Sequence, residues 1–135
     1  MNSLILAVVM LLGLKSSPPS LPILLDPDAA RAVLLDPTIL KSLHLELGKG
    51  QPFPLSDLIF STTQGLNLPF QVLIVKYGEK REQDVFRFTS AAVVLDKPYE
   101  LLVTFRYRER GISGHAGLRR LAQGWEVVER QVLKD

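Results

Sequence analysis

Arginines of one predicted strand are the side chains whose spacing best suits binding chemistry. The segment Val103–Arg110 alternates strictly between apolar and polar residues up to its end, and this alternation places Arg106, Arg108 and Arg110 on one face. Guanidinium groups bind carboxylates and phosphates through paired hydrogen bonds. The spacing therefore predicts a basic face that could hold a small anion, an acidic partner or a nucleic acid.

A plainer interpretation of this face stays open. The arginines could be solvated and pair with nearby glutamates, and an exposed pair of this kind contributes only ~0–1 kcal/mol to stability. The next predicted strand contains Arg119 and Arg120. Because neighbouring side chains alternate, only one of them can join the basic face.

Two aromatic residues are further candidates for ligand contact. Tyr107 lies on the predicted strand between Arg106 and Arg108, so we expect it on the opposite face, where it would line a pocket together with Phe86 and Phe88. Trp125 opens the last predicted strand. It either lines a ligand pocket or anchors the core.

Catalytic and metal-binding patterns are weak in this chain. Ser113 and His115 stand in a glycine-rich run, but no orienting acid accompanies them and their spacing gives no reason for a hydrogen bond. His44 and Glu46 are two residues apart on a predicted helix and do not share a face. We predict no catalytic residue, no metal site and no cofactor, which favours a non-enzymatic protein.

The composition predicts one ordinary domain. The chain has 135 residues, no cysteine, and a formal charge of +2 from 16 basic and 14 acidic residues. This charge is far below that of a dedicated nucleic-acid binder. The absence of cysteine excludes disulfides, thiolate zinc sites and a lipidated cysteine.

The N-terminal segment differs from the rest of the sequence. Residues 1–15 resemble a signal peptide, since Leu4–Leu14 is an uninterrupted run of eleven residues without a charge. Eleven residues are too few to span a bilayer, which needs ~20. We expect export to the periplasm or the medium, with membrane contact only through this segment where it is not cleaved. The alternative is a buried first element of a cytoplasmic domain.

The remaining residues divide into a proline-rich linker and a folded domain. The linker covers residues 16–22 and a single domain covers residues 23–135. The repeated Leu-Leu-Asp-Pro, at 24–27 and again at 34–37, predicts two helix starts, because Asp caps a helix and Pro suits its first position. The second helix presents Ile39, Leu40, Leu43 and Leu47 on one face before Gly48. The segment Leu55–Ser61 stays unassigned.

The second half of the chain has the pattern of strands and tight turns. We predict five strands, namely Phe70–Tyr77, Val85–Leu95, Tyr99–Arg110, His115–Ala122 and Trp125–Leu133. The connections are short, so we expect antiparallel hairpins. The fold class is therefore α+β, with short N-terminal helices packed on a curved antiparallel meander of four to five strands.

In this order of elements, and in the strand start Gly124-Trp125-Glu126, the C-terminal sheet resembles the NTF2-like and cystatin-like superfamily. The resemblance covers about Pro37–Leu133 and implies a cone between helix and sheet that holds a small ligand. No catalytic pattern of that family can be placed on residues of this chain.

Three functions follow from these observations. The first is a non-enzymatic exported binding domain that recognises a protein or small ligand through its sheet. The second is an NTF2-like ligand carrier or enzyme with a pocket between helix and sheet. The third is an anion or nucleic-acid binder that uses Arg106, Arg108 and Arg110.

Overall fold

The computed structural model describes residues 20–43, 52–76, 78, 85–95 and 97–134. Within these ranges the chain forms two α-helices and seven β-strands, and one turn of 3₁₀-helix follows the fifth strand. The helices are α1 (Pro27–Leu35) and α2 (Pro37–Leu43). The strands are β1 (Ser20–Pro22), β2 (Phe53–Ser56), β3 (Val72–Val75), β4 (Phe86–Val94), β5 (Leu101–Tyr107), β6 (Ile112–Leu121) and β7 (Gly124–Lys134).

Both helices begin where the repeated Leu-Leu-Asp-Pro predicts. Asp26 caps α1, accepting a hydrogen bond from the backbone N–H of Asp28 at 3.0 Å. In the same way, an Asp36 oxygen accepts from the N–H of Ile39 at 3.2 Å at the start of α2. The predicted helix end at Gly48, and the pair His44 and Glu46, lie outside the described residues.

The seven strands form one mixed sheet. Its order is β3-β2-β4-β5-β6-β7, and β1 pairs with the end of β4 that β2 leaves open. The strands β4 to β7 pair antiparallel with their sequence neighbours, as the meander prediction requires. The helices pack on this sheet and contact β7, so the coarse α+β assignment describes the fold.

Two details of the predicted sheet are wrong. The prediction joined the strand around residues 72–75 to the next strand as a hairpin, but β3 pairs in parallel with β2, and β2 pairs in parallel with β4. This intervening strand takes its last two residues, Leu55 and Ser56, from the segment left unassigned above, and the sheet is not purely antiparallel. In addition, Ser20–Pro22, assigned above to the linker, pair with β4 as β1.

The core lies between the helices and one face of the sheet, called here the helix-side face. Four aromatic rings of this face contact one another. The Phe86 ring lies 5.1 Å from Phe88, 5.5 Å from Phe105 and 6.1 Å from Tyr107, centroid to centroid. Helix α1 covers the face with four fully buried residues, Ala29, Ala30, Val33 and Leu34.

The predicted signal-like segment Leu4–Leu14 and the first linker residues lie outside the described part of the chain. In the part that the structure does describe, neither helix has the length and apolar character that crossing a membrane requires.

Candidate functional site

The strand registers place polar side chains in rows across the other face of β4 to β7, called here the outer face. Cross-strand partners share a face, and every second residue along a strand returns to it. On β4, β5 and β6, one row aligns Arg87, Arg106 and Ser113, and the next aligns Ser90, Thr104 and His115. On β7 the first row continues to the apolar Leu133 and the second to Gln131. The outer face is therefore polar where the helix-side face is aromatic.

Arg106 is the predicted arginine that the sheet places on this face. Its side chain is exposed, and it lies directly opposite Arg87 of β4 and Ser113 of β6. Among the described side chains, none forms an ion pair with Arg106. Two guanidinium groups in register, with a hydroxyl beside them, match the paired oxygens of carboxylates and phosphates.

Arg108 and Arg110 do not continue the row, so the predicted ladder of three arginines on one strand face is wrong. The strand ends at Tyr107, and Arg108–Arg110 form a 3₁₀ turn that closes with a hydrogen bond from Gly111 N–H to the Arg108 carbonyl at 3.0 Å. Gly111 has a φ of 64°, which glycine adopts readily. Both arginines remain exposed at the same end of the sheet as Arg106.

A network of hydroxyl groups borders the arginines. The Thr104 hydroxyl lies 2.6 Å from that of Ser90 and 2.7 Å from that of Thr89. His115 is the cross-strand neighbour of Thr104 on β6. The row therefore offers further hydrogen-bond donors next to Arg106.

The opposite end of the outer face has its charges already paired. Arg119, the one of the two neighbouring arginines that faces this side, binds Glu126 at 2.7 Å. The Tyr99 ring covers Gly117, where a Cβ would lie 2.6 Å from the ring. Burial, together with the charge of Glu129 and its hydrogen bond, raises the pKa of Tyr99. This end has little capacity left for an anion.

The helix-side face ends in a groove at Trp125. The groove has a volume of about 570 Å³ and lies between α1 and the β6–β7 hairpin. It is lined by Asp28, Arg31, Ala32, Leu35, Asp36, Gln123, Gly124, Trp125 and Val127. The guanidinium of Arg120 lies 4.4 Å from the centroid of the half-buried Trp125 ring, and the indole N–H lies 3.5 Å from an Asp26 oxygen.

The candidate residues therefore belong to three different environments. Tyr107 is 5% exposed and packs in the aromatic core, and it is not among the residues that line the groove. Its predicted place beside a pocket with Phe86 and Phe88 stays a prediction. Trp125 faces the groove at the other end of the sheet from Arg106. On β7, Leu133 pairs with Ser113 of the row that contains Arg106. Trp125 lies eight residue steps before Leu133 on the same strand, so roughly 26 Å separate the groove from the arginine row.

The described side chains provide no further grouping for chemistry. Ser113 and His115 both lie on the outer face, and no hydrogen bond between them is present among the described residues. Within the same residues, no three acidic or histidine side chains gather as metal ligands would.

Sequence reasoning missed Arg87 and the α1 side of the groove. The apolar-polar alternation of Phe86, Arg87 and Phe88 contained a usable signal, because it places Arg87 opposite the two rings. Its alignment with Arg106 depends on the β4–β5 register, which includes an irregularity between Phe88 and Ser90. No local pattern fixes such a register.

Comparisons of the chain with family models, with curated proteins and with solved structures find no match. The resemblance to the NTF2-like and cystatin-like superfamily consequently stays a prediction.

Proposed function

We propose that this protein is a non-enzymatic binding domain that holds an acidic segment of a partner protein on the outer face of its sheet. The observation that supports the proposal is the row of Arg87, Arg106 and Ser113 across three adjacent strands. Export, expected from the Leu4–Leu14 segment of the sequence, belongs to the same proposal.

The shape of the surface favours an extended protein segment over a small molecule. Arg106, Arg108, Thr89 and Ser90 are exposed on an open surface, so a small anion would keep most of its hydration there. A carboxylate side chain on a longer segment gains from several adjacent contacts at once, to guanidinium and to hydroxyl groups.

The charge pattern supports the same partner. Overall charge is only +2, so attraction must come locally, from Arg87, Arg106 and Arg108. The Arg110 guanidinium instead lies 5.7 Å from the ring centroid of Tyr107, a residue of the helix-side face. An exposed cluster of this size speeds association with an acidic segment and is screened by salt.

The test measures binding of a fluorescein-labelled peptide of consecutive glutamates by anisotropy, at low and at physiological salt. Arg106→Gln should weaken the affinity about fivefold at low salt, because an exposed ion pair contributes at most ~1 kcal/mol and is least screened there. The peptide affinity of the unchanged chain should itself fall with added salt.

Arg119→Gln is the matched control, since it removes the same charge from the same face. Arg119 is already engaged by Glu126, so we expect its loss to change the affinity less than about twofold. Equal effects of the two substitutions would contradict the proposal. A single-stranded DNA of equal charge that binds more tightly than the peptide would favour the nucleic-acid alternative.

The groove supports a second candidate function, a carrier of a small ligand held between helix and sheet. An indole ring together with Arg31 and Asp28 would suit a small molecule with an apolar body and charged groups. The chain contains a single tryptophan, so Trp125 fluorescence reports directly on occupancy when candidate metabolites are added. Ala32→Leu, which narrows the groove, should abolish such a response, whereas Arg106→Gln should not change it.

A further inference from the structure

An exposed apolar patch lies at the edge of the helix-side face, where β1 pairs with the end of β4. Leu21 of β1 lies directly opposite Val93 of β4. Ile23 comes two residues after Leu21, and Leu95 two residues after Val93, so both share this face. The Ile23 N–H donates to the Ala91 carbonyl at 2.9 Å and so continues the hydrogen bonds between β1 and β4. In these four residues, the β1–β4 patch, Leu21 and Val93 form the central cross-strand pair. Ile23 extends the patch along β1, and Leu95 extends it in the opposite direction just after β4.

The patch is more exposed than a core margin requires. Leu21 is 64% exposed, Leu95 57%, Ile23 37% and Val93 36%. Single exposed aliphatic residues are normal, but adjoining ones of this size mark an interaction surface. The backbones of the helices come closest to the sheet at β7, which is separated from β4 by β5 and β6, and the four side chains at the β1 corner stay accessible.

The position of the patch indicates what covers it. Six residues lie between Leu14, the end of the uncharged apolar segment, and Leu21, so at most ~25 Å of extended chain joins the two. A segment of eleven apolar residues cannot span a bilayer. Single short apolar anchors bind membranes reversibly, and stable attachment takes a second contribution. The patch lies within reach of the same bilayer surface and can supply it.

We propose that, in the chain that keeps its Leu4–Leu14 segment, the β1–β4 patch inserts its aliphatic side chains into the surface of the lipid bilayer that this segment contacts. The folded domain is then held against the membrane at the β1 corner. This attachment is independent of the acidic partner proposed above, because the patch and the arginine row lie on opposite faces of the sheet.

The first experiment is co-sedimentation of the full chain with vesicles of phosphatidylcholine alone, whose headgroups carry no net charge and do not attract the arginine row. The double variant Leu21→Ser with Leu95→Ser should partition into vesicles at least about tenfold less than the unchanged chain, since each exposed leucine contributes apolar area to the membrane contact. The matched control is Leu121→Ser with Leu133→Ser, because these leucines are 43% and 54% exposed elsewhere. It should change partitioning by less than about twofold, and equal losses would overturn the proposal.

A site-specific label separates the membrane from other occupants. The chain has no cysteine, so Leu95→Cys and Leu133→Cys each accept one environment-sensitive fluorophore. We expect brominated lipid to quench the label at residue 95 and not at residue 133.

A blue-shifted label at residue 95 without vesicles would mean that the patch is covered by the chain itself. A shift that grows with protein concentration would mean a second copy. Either result overturns the proposal, and circular dichroism confirms folding of every variant.

Discussion

The two faces of the β4–β7 sheet use the same strands for opposite purposes. On the helix-side face, Phe86, Phe88 and Phe105 are buried against one another and against α1. On the outer face, one residue away along the same strands, Arg106 is exposed and its cross-strand neighbour Arg87 is half-buried. Strand alternation alone produces this division, and it separates the residues that fold the chain from those available for binding.

The difference teaches where substitutions should affect stability. A buried ring loses its contacts and leaves a cavity when truncated, whereas an exposed side chain exchanges protein contacts for water. If the outer face exists for binding, its residues should be nearly neutral for folding. Three measurements test this contrast, from the largest expected effect to the smallest.

Phe88→Ala should lower the free energy of unfolding by about 3–5 kcal/mol, because Phe88 is fully buried and contacts the rings of Phe60 and Phe86. The outer-face counterpart Arg106→Gln should change it by less than about 0.5 kcal/mol. Urea denaturation of the two variants beside the unchanged chain makes the comparison. A large loss in Arg106→Gln would show that the arginine row is structural, and would weaken the proposed function.

The sequence was sufficient for the parts of the fold that local chemistry determines. Asp26 with Pro27, and Asp36 with Pro37, define helix starts within a few residues, and both starts are confirmed. Alternation likewise assigned Arg106 and Tyr107 to opposite faces correctly. In each case the residues that decide the structure are adjacent in sequence.

The parts that failed depend on distant pairings or on a single turn. The parallel pairing of β2 with β3 and β4 joins segments that no local pattern connects. For Arg108 and Arg110, the predicted strands Tyr99–Arg110 and His115–Ala122 leave the turn to residues 111–114, but the chain already turns at Arg108–Gly111. Gly114 instead lies in β6 beneath the Phe105 ring, where a Cβ would lie 2.9 Å from the ring. A glycine in sequence does not reveal whether it serves a turn or a close contact.

The ion pairs of the two faces provide the second measurement. On the helix-side face, Arg130 binds Asp36 at 3.1 Å, and Asp36 is also the cap of α2. On the outer face, Arg119 binds Glu126 at the shorter distance of 2.7 Å, with both side chains about half exposed. Asp36→Ala should cost about 2 kcal/mol, since a buried acceptor shared by a cap and a guanidinium is lost.

Glu126→Ala should cost less than about 0.5 kcal/mol despite its shorter contact, because water screens the pair and replaces it. Thermal and urea denaturation of Asp36→Ala and Glu126→Ala measure the loss in free energy of unfolding for each variant. Similar losses for the two substitutions would mean that burial does not separate the faces as argued. Asn in place of Asp36 keeps the cap but removes the charge, so Asp36→Asn should recover part of the loss.

Tyr99 is the exception on the outer face, and it provides the third and smallest effect. Its ring is buried over Gly117, and burial, the charge of Glu129 and the hydrogen bond to it raise the pKa of its hydroxyl. Because its pKa is raised in the folded state, the Tyr99 hydroxyl stabilises the fold. This contribution is present in full at any pH below the pKa of an unfolded tyrosine, near 10. The contribution is lost as the pH rises through the higher value in the folded state.

The unchanged chain should therefore lose stability between pH 9 and pH 11, and Tyr99→Phe should lose less over the same interval, because it has no hydroxyl to ionise. Lysines titrate in both chains alike, so the difference between the two pH dependences isolates Tyr99. Urea denaturation at several pH values measures it. Parallel curves for the two chains would mean that the Tyr99 hydroxyl is in water and not against Glu129. The end of the outer face opposite the arginine row would then be open to solvent, and the contrast between the two ends of this face would be lost.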